Sequence, residues 1–600
     1  MFPTRKCLLP ICYLPSTNCM SLALVKLTIT LSCLLDCLYL FDSRLDSLST
    51  LIINVSYIFG PKISKDSQKK LLKLKCFSLS SPKLTVDYHD LIVALLCQMV
   101  NLEELKLYLL VQRFDATYID GIQLYDHFLV YMTQLKKFTF NVKTNVSNIF
   151  LRVKLSSNED IQHSFIGRGY QQVTSYIHND SMKNKGKCLI YSVPYEFDYF
   201  FYLYNSFQGG IFHKVRYLTM DDTIPFEHKL FNVISEDFPY LELLHICNHY
   251  SPNTKEHSFA LITFLYLTLL DLQDAHDDYA ELFLLTKNAY LPRLLNLSMQ
   301  YKSLTKITNN FTNNAMDFNC NGSYLIRHFQ SQISSLFINM KGRMYRRDLF
   351  GHENIFIFSQ ICTEFKNLQY LNFSSSSDYE QLTFGRTPSI KFSSNLLQLH
   401  VVIKSIIDCL CLLEHFNQLR TFYVTICPLA VRVWPSKKLP NLKCFSLIHE
   451  NELMMYNEIF VPLFQTMPNL EELSLYFFSS YGLIIDDDNL EKNILNHMIK
   501  LNKFTFNIRS FIPRNDLVNL PSNEDIKNTF KNFKNNEIIS CVDYFSKSNL
   551  FYCHICSYPY TWTFYNNITN NFPGGLFKCV REISLCDERP FEHEIFPSNC

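Results

Sequence analysis

At 600 residues the chain is long enough for roughly four ordinary domains or for one long repeat array. Apolar residues make up 48% and charged residues 18%, so the chain can bury a large core, and global disorder is excluded. Lys+Arg 56 against Asp+Glu 55 leaves a net charge of +1, without the electrostatic footprint of a general nucleic-acid binder, and only 14 glycines exclude collagen-like and Gly-rich linker architectures.

The N-terminus carries Arg5 and Lys6 before Cys7-Leu8-Leu9, but Pro10 and Pro15 break that apolar run, which is short for a signal core. Leu22 to Leu40 approaches the length of a membrane span, yet Lys26 and Asp36 interrupt it. A strand followed by a helix is expected there, and no membrane partner. The 21 cysteines are odd in number and irregularly spread from Cys7 to Cys600. That pattern reads as free, buried thiols in a reducing compartment, cytoplasmic or nuclear and not secreted. An extracellular receptor would need a cleavable signal and paired cysteines, and the sequence argues against both.

From Leu24 onward an apolar-x-x-apolar-x-apolar triplet recurs. Early cases are Leu24/Leu27/Ile29, Leu48/Leu51/Ile53, Leu74/Phe77/Leu79, Leu102/Leu105/Leu107 and Leu135/Phe138/Phe140. It resumes at Val215/Leu218/Met220 and continues through Leu294/Leu297/Met299, Leu396/Leu399/Val401 and Leu470/Leu473/Leu475 to Leu501/Phe504/Phe506 and Val580/Ile583/Leu585. Most steps are near the leucine-rich-repeat period of about 20–29 residues. The Asn or Cys usual three residues after the last apolar position is present only as Cys427, with Asn248 one residue short. The last two apolar residues of a triplet face one side of a short strand. Between triplets, Asp90–Met99 and Asp278–Leu285 read as helices with apolar faces. A strand and a helix per repeat cannot bury both faces alone, so stacking is expected to build a parallel sheet with helices outside it.

A longer repeat lies over the short one. Leu74-Lys75-Cys76-Phe77-Ser78-Leu79 recurs at Leu442–Leu447, and Asn101-Leu102-Glu103-Glu104-Leu105 at Asn469–Leu473. Lys137-Phe138-Thr139-Phe140-Asn141 recurs at Lys503–Asn507, and Ser157-Asn158-Glu159-Asp160-Ile161 at Ser522–Ile526. Gly209-Gly210 and Pro225-Phe226-Glu227-His228 recur as Gly574-Gly575 and Pro590-Phe591-Glu592-His593. The order is the same, so two related copies lie in tandem, over 1–320 and 321–600. Each is interrupted by an insertion, at about 141–214 and about 507–579, expected to project as a helix plus a small hairpin. Ser-Asn-Glu-Asp-Ile reads as the helix start. The second copy has upstream repeats that the first lacks and stops sooner, so it reads as truncated at its C-terminus, with a truncated or mis-joined gene product as one reading beside an intact one.

These blocks resemble a multigene family of F-box-like leucine-rich repeat proteins of small invertebrates. The resemblance rests on Asn-Leu-Glu-Glu-Leu, Lys-Phe-Thr-Phe-Asn, Ser-Asn-Glu-Asp-Ile, and Gly-Gly followed by Pro-Phe-Glu-His, and covers about residues 20–320 and 333–600. It implies an F-box that recruits a Skp-type adaptor of a cullin–RING ubiquitin ligase, with the repeats presenting a substrate. No Leu-Pro-x-Glu-Ile-like F-box start is found near Met1 or at 320–333.

Other chemistry has bland readings. Cys553-x-x-Cys556 lacks a second cysteine pair at finger spacing and reads as strand core rather than metal site. Glu227 with His228 reads as a helix start after Pro225. Asp486-Asp487-Asp488 lacks the ligand spacing of a calcium loop. Lys69-Lys70 and Arg346-Arg347 read as solvated faces. No Walker loop, nucleophile elbow, H-E-x-x-H or dinucleotide fingerprint is present, so no enzyme, cofactor or metal is expected.

The reading is an α/β leucine-rich-repeat solenoid, with parallel strands on a concave face and helices outside. It would act as a protein–protein interaction scaffold, resembling the substrate-recognition part of an F-box-type ligase receptor. The alternative is a free-standing binding solenoid or decayed gene copy. The positions pointing outward beside the triplets are the expected partner-binding residues: Lys106, Tyr108, Thr139, Thr219, His245, Asp271, Ser298, Ser474 and Tyr476. Their mixed charge, hydroxyls and aromatics suit a protein better than a phosphate backbone.

Overall fold

The computed structural model describes residues 24–34, 47–58, 72–114, 117–147, 155–170, 172–180, 185–252, 260–285, 287–308, 311, 329–340, 350–375, 381–384, 395–426, 438–453, 456–480, 490, 492, 494–513, 521–530, 537–574, 577, 579–580 and 582–589. The fold is α/β with mostly parallel sheets. Two compact units divide it, Met1–Leu244 and His245–Cys600.

The first unit holds β1 (Lys26–Cys33), β2 (Thr50–Tyr57), β3 (Cys76–Thr85), β4 (Glu104–Phe114), β5 (Lys137–Ser147), β6 (Val173–Asp180), β7 (Lys185–Ser192), β8 (Tyr199–Leu203) and β9 (Tyr217–Asp221). Its helices are α1 (Gly121–His127), α2 (Asn158–His163) and α3 (His228–Asp237). Strands β1 to β5 pair in parallel, in chain order, and the triplets set the register. Leu27 pairs with Leu51, Leu51 with Phe77, Phe77 with Leu105 and Leu105 with Phe138. Residues two apart share a face, so Leu51, Ile53, Leu79, Leu105, Leu107 and Phe140 form a continuous buried wall. Each such side chain stabilises the fold by roughly 1.5–3 kcal/mol. The helix expected over Asp90–Met99 starts earlier and begins wider: Tyr88–Val93 forms a π turn that runs into Ala94–Leu96. Those apolar residues are buried, and the helical path ends one turn sooner than the apolar run.

The strands start on a shared backbone device. The Ser49 carbonyl accepts the N–H groups of Lys75 and Cys76 at 2.8 and 2.9 Å, and the Lys75 carbonyl accepts those of Glu103 and Glu104 at 2.7 and 3.0 Å. At several steps an asparagine just before the triplet ties the repeat to the previous one. Asn101 Nδ2 donates to the Leu72 carbonyl at 2.9 Å, Asn441 to Asn417 at 2.8 Å and Asn469 to Pro440 at 2.9 Å.

The division falls within β10 (Leu243–Asn248). Beyond it lie β11 (Ile262–Thr263), β12 (Leu269–Ala275), β13 (Ala289–Tyr290), β14 (Asn296–Gln300), β15 (Ser335–Met340), β16 (Tyr370–Ser375), β17 (Gln398–Ile403), β18 (Thr421–Ile426), β19 (Cys444–Leu453), β20 (Glu472–Ser480), β21 (Lys503–Pro513), β22 (Glu537–Phe545), β23 (Leu550–Tyr558), β24 (Phe564–Ile568) and β25 (Glu582–Leu585). The helices are α4 (Asp277–Leu284), α5 (Tyr301–Thr308), α6 (Phe350–Glu364), α7 (Ile406–His415), α8 (Tyr456–Gln465) and α9 (Asn523–Thr529). Strands β12 and β14 to β21 pair in parallel, again with triplet on triplet: Leu399 pairs with Phe422, Phe422 with Phe445, Phe445 with Leu473 and Leu473 with Phe504. Helix α7 is capped by Ser405, whose hydroxyl accepts the Asp408 N–H at 3.3 Å, and buries Ile406, Cys409, Leu412 and Leu413.

The insertions differ from expectation in one respect. Both contain the helix that Ser-Asn-Glu-Asp-Ile signals, α2 and α9, each with a complete capping box, Ser157 with Asp160 and Ser522 with Asp525. The hairpins do not project. β7 pairs antiparallel to β5 with β6 beyond it, and β23 pairs antiparallel to β21 with β22 beyond it. The open edge of the last parallel strand carries unpaired N–H and C=O groups, and the hairpin satisfies them.

Among the described residues no helix is long and apolar enough to cross a membrane, and the stretch Leu22 to Leu40 contributes strand β1. Pro590-Phe591-Glu592-His593, Gly575, Asp486-Asp487-Asp488, Lys69-Lys70, Arg346-Arg347 and Cys427 lie outside the described residues.

Candidate functional site

The outward face of each sheet carries the side chains between the buried apolar pairs. In the first unit Lys106, Tyr108 and Thr139 stand on it, as alternation requires. They are not open to a partner. The segment that leaves β7 passes the cis peptide Val193–Pro194 and folds back over them as an aromatic strap. Tyr108 is fully buried, with Phe197, Tyr199 and Phe201 ring centroids 5.2, 4.5 and 5.7 Å away. The Phe201 N–H donates to the Tyr108 hydroxyl at 2.9 Å. Lys106 Nζ donates to the Glu196 carbonyl at 2.8 Å and sits 4.4 Å from the Phe197 ring centroid. Burial pushes its ammonium pKa down. Thr139 is buried. Thr219 accepts the Tyr202 N–H at 2.8 Å, so it anchors the far end of the strap.

The second copy repeats the strap. Asn141 Nδ2 donates to the Tyr195 hydroxyl at 2.9 Å, which donates to the Tyr199 carbonyl at 2.9 Å. Asn507 Nδ2 donates to the Tyr560 hydroxyl at 2.9 Å, which donates to the Phe564 carbonyl at 2.8 Å. Ser192 and Ser557 accept the N–H groups of Phe140 and Phe506 at 3.1 and 2.9 Å. Tyr476 is fully buried, with Trp562 and Phe564 ring centroids 5.8 and 4.7 Å away.

A buried cation lies under each strap. Lys143 Nζ is 4.1 Å from the Tyr202 ring centroid and 4.6 Å from that of Tyr204, with Lys187 on the same Tyr204 ring at 4.5 Å. Burial, helped by the Lys187 charge, pushes the Lys143 ammonium down to about 7. At the matching position Arg509 lies 4.9 Å from the Tyr476 ring centroid.

In the second unit one row of outward residues crosses the sheet. Register places Asp271, Ser298, Phe337, Asn372, His400, Tyr423, Ser446, Ser474 and Thr505 side by side. Three of the sequence-predicted residues meet at its start. His245 Nδ1 lies 3.1 Å from Asp271 Oδ2, and Ser298 hydrogen-bonds the same carboxylate. Burial alone would raise the Asp271 carboxyl. The hydrogen bonds from His245, from the Gln273 N–H at 3.1 Å and from Ser298 overcome it and hold the carboxyl below its usual range. Asp271 stands between His245 and Ser298, so the serine and the imidazole are joined through the acid. Asp271 and Ser298, expected to meet a partner, are buried, and of the three only His245 keeps part of its side chain open. Ser474 pairs with Thr505 at 2.6 Å.

The middle of the row is aromatic apart from Asn372, and Tyr370, two residues before Asn372 on the same face, joins it. His400 stacks on Tyr423 with centroids 4.1 Å apart at 21°, Tyr370 lies 5.3 Å from His400, and Phe337 lies 4.7 Å from Tyr370. All four are partly exposed. Burial pushes the His400 imidazole down to about 4. Sequence reasoning passed over His400 and Tyr423, although the outward rule that picked Ser298 also picks them, between Leu399 and Val401 and between Phe422 and Val424. Cys553 and Cys556 fall on opposite faces of β23, because their separation is odd, and both are buried. Burial pushes the Cys556 thiol up to about 12.

No protein-family model matches the chain, and no curated protein matches its sequence.

Proposed function

We propose that the chain is a leucine-rich-repeat solenoid that binds a protein partner across its outward sheet face, as the substrate-recognition part of an F-box-type ubiquitin ligase receptor. The observation that supports this reading most is the stripe of Phe337, Tyr370, His400 and Tyr423. Aromatic side chains on a rigid sheet provide large contact area at little entropic cost, which is how protein interfaces are anchored. Beside the stripe His245 keeps part of its side chain open, while the buried Asp271 and Ser298 support its imidazole from below rather than meeting a partner. The ligase role itself rests on the sequence resemblance, and it requires a Skp-type adaptor as second partner.

The test is proximity labelling in cells with the full chain and with the His400→Ala/Tyr423→Ala variant. The expected outcome is a defined set of labelled proteins that the variant loses, together with a Skp-type adaptor that both retain. Identical labelling by the two proteins would overturn face recognition. Absence of the adaptor from both would overturn the ligase role and leave a binding scaffold.

A further inference from the structure

The rim of the second unit, where strands β18 to β21 begin, carries two adjoining depressions. One, of about 200 Å³, is floored by Leu413, Phe416, Leu419 and Leu442. The other, of about 380 Å³, is lined by Arg420, Lys443, Lys500 and Glu471 with Gln418 and Asn469. Pro440 and Asn441 belong to both, so an apolar hole and a basic basin share one wall.

The shared wall is rigid. Asn441 Nδ2 is tied to the Asn417 carbonyl at 2.8 Å, and the Pro440 carbonyl accepts Asn469 Nδ2 at 2.9 Å. The Lys443 N–H is tied to Arg420 at 2.8 Å and the Glu471 N–H to Lys443 at 2.7 Å. The basin holds three cations against one acid. Glu471 engages Lys443 at 2.7 Å, so the net positive charge is carried at Arg420 and Lys500 on either side. The floor of the neighbouring hole is made of side chains that are 3% exposed or less.

We infer that this rim is a second recognition site, for a short acidic peptide segment. One aliphatic or aromatic side chain enters the apolar hole while carboxylates a residue or two away sit in the basin. A phosphate polyanion matches the basin but leaves the hole empty. An uncharged apolar segment matches the hole but leaves the cations unanswered. Only a segment with both chemistries uses both depressions across their common wall. The proposal rests on the protein-binding reading, and it places a contact on the rim rather than on the sheet face.

The test uses the full chain and a fluorescein-labelled peptide, Ser-Asp-Glu-Leu-Asp-Glu-Ser, followed by fluorescence anisotropy at low ionic strength. Controls replace its leucine by serine or its acids by lysine, and a short oligodeoxythymidine serves as polyanion. The expected result is saturable binding of the acidic leucine peptide. It weakens about tenfold or more, some 1.4 kcal/mol, when the leucine is removed or when the protein carries Arg420→Glu/Lys500→Glu. Both positions are exposed, and the Lys500→Glu single variant gives a milder change of the same sign. No saturable binding, equal binding of the serine control, tighter binding of oligodeoxythymidine, or indifference to the charge reversals would each overturn the site. His400→Ala/Tyr423→Ala is expected to leave peptide binding unchanged, so failure of the rim and failure of the face are read separately.

Discussion

Lys143 shows what burial does to a single charge. Its ammonium titrates near 7 in the fold, against about 10.4 in an unfolded chain. Between those values the unfolded state binds more protons, so this residue's contribution to stability rises with pH, and below about 7 its penalty is at full size. Against Lys143→Met, wild type is therefore expected to be less stable at pH 7 and to recover about 3 kcal/mol of the difference by pH 9.5. Urea unfolding of both proteins at a series of pH values checks this, and a pH-independent difference would contradict it. Glu103 titrates the other way. Lys136 and then Lys75, at 2.7 and 2.9 Å, hold its carboxyl at about 2. Its stabilisation is present above the usual carboxylate range and is lost as pH falls from there through about 2. Both lysines are exposed, so the effect is small. The sequence did not reveal Lys143 as special. Alternation on β5 assigns it a face, and only the strap that returns from far along the chain makes that face an interior.

At the scale of elements, the triplets were highly legible. Their two-residue spacing dictates a strand face, and the register pairs the same triplet position on strand after strand. The capping boxes were legible for the same reason, since Ser157 and Asp160 lie within one helical turn. Ser157→Ala and Ser522→Ala are each expected to cost about 1 kcal/mol, seen as a lower urea midpoint at unchanged slope. The asparagine ladder was missed because asparagine was sought after the triplet, whereas here it precedes it, as in Asn101-Leu102 and Asn469-Leu470. The strap was illegible for a different reason. Its hydrogen bonds, such as Phe201 to Tyr108, span 93 residues, and no periodic signal encodes them. The residues expected to meet a partner, Tyr108 and Tyr476 among them, instead meet the chain itself. Local pattern says where a side chain points, not what covers it.

At the scale of the molecule, the internal sequence likeness extends to individual hydrogen bonds. Asn141 with Tyr195 and Asn507 with Tyr560 are the same contact made twice, at the same 2.9 Å. Asn141→Ala and Asn507→Ala are each expected to cost about 1–3 kcal/mol, because each leaves a buried hydroxyl without its donor. Hydrogen exchange should then rise in the strap of the mutated copy alone, over 195–204 or 560–568. A loss of protection in the other copy would show that the two straps are not separate devices.

The hairpin that follows β5 and β21 bears on how such a chain can change over generations. Parallel strands stacked in register accept another strand of the same kind at either neighbour, so the run before the hairpin can lengthen or shorten one repeat at a time. An antiparallel strand presents a different hydrogen-bond spacing to whatever follows. It works as punctuation. Each parallel run therefore closes on its own hairpin, and the interval from hairpin to hairpin is the sentence this sequence says twice, with the short repeats as its words.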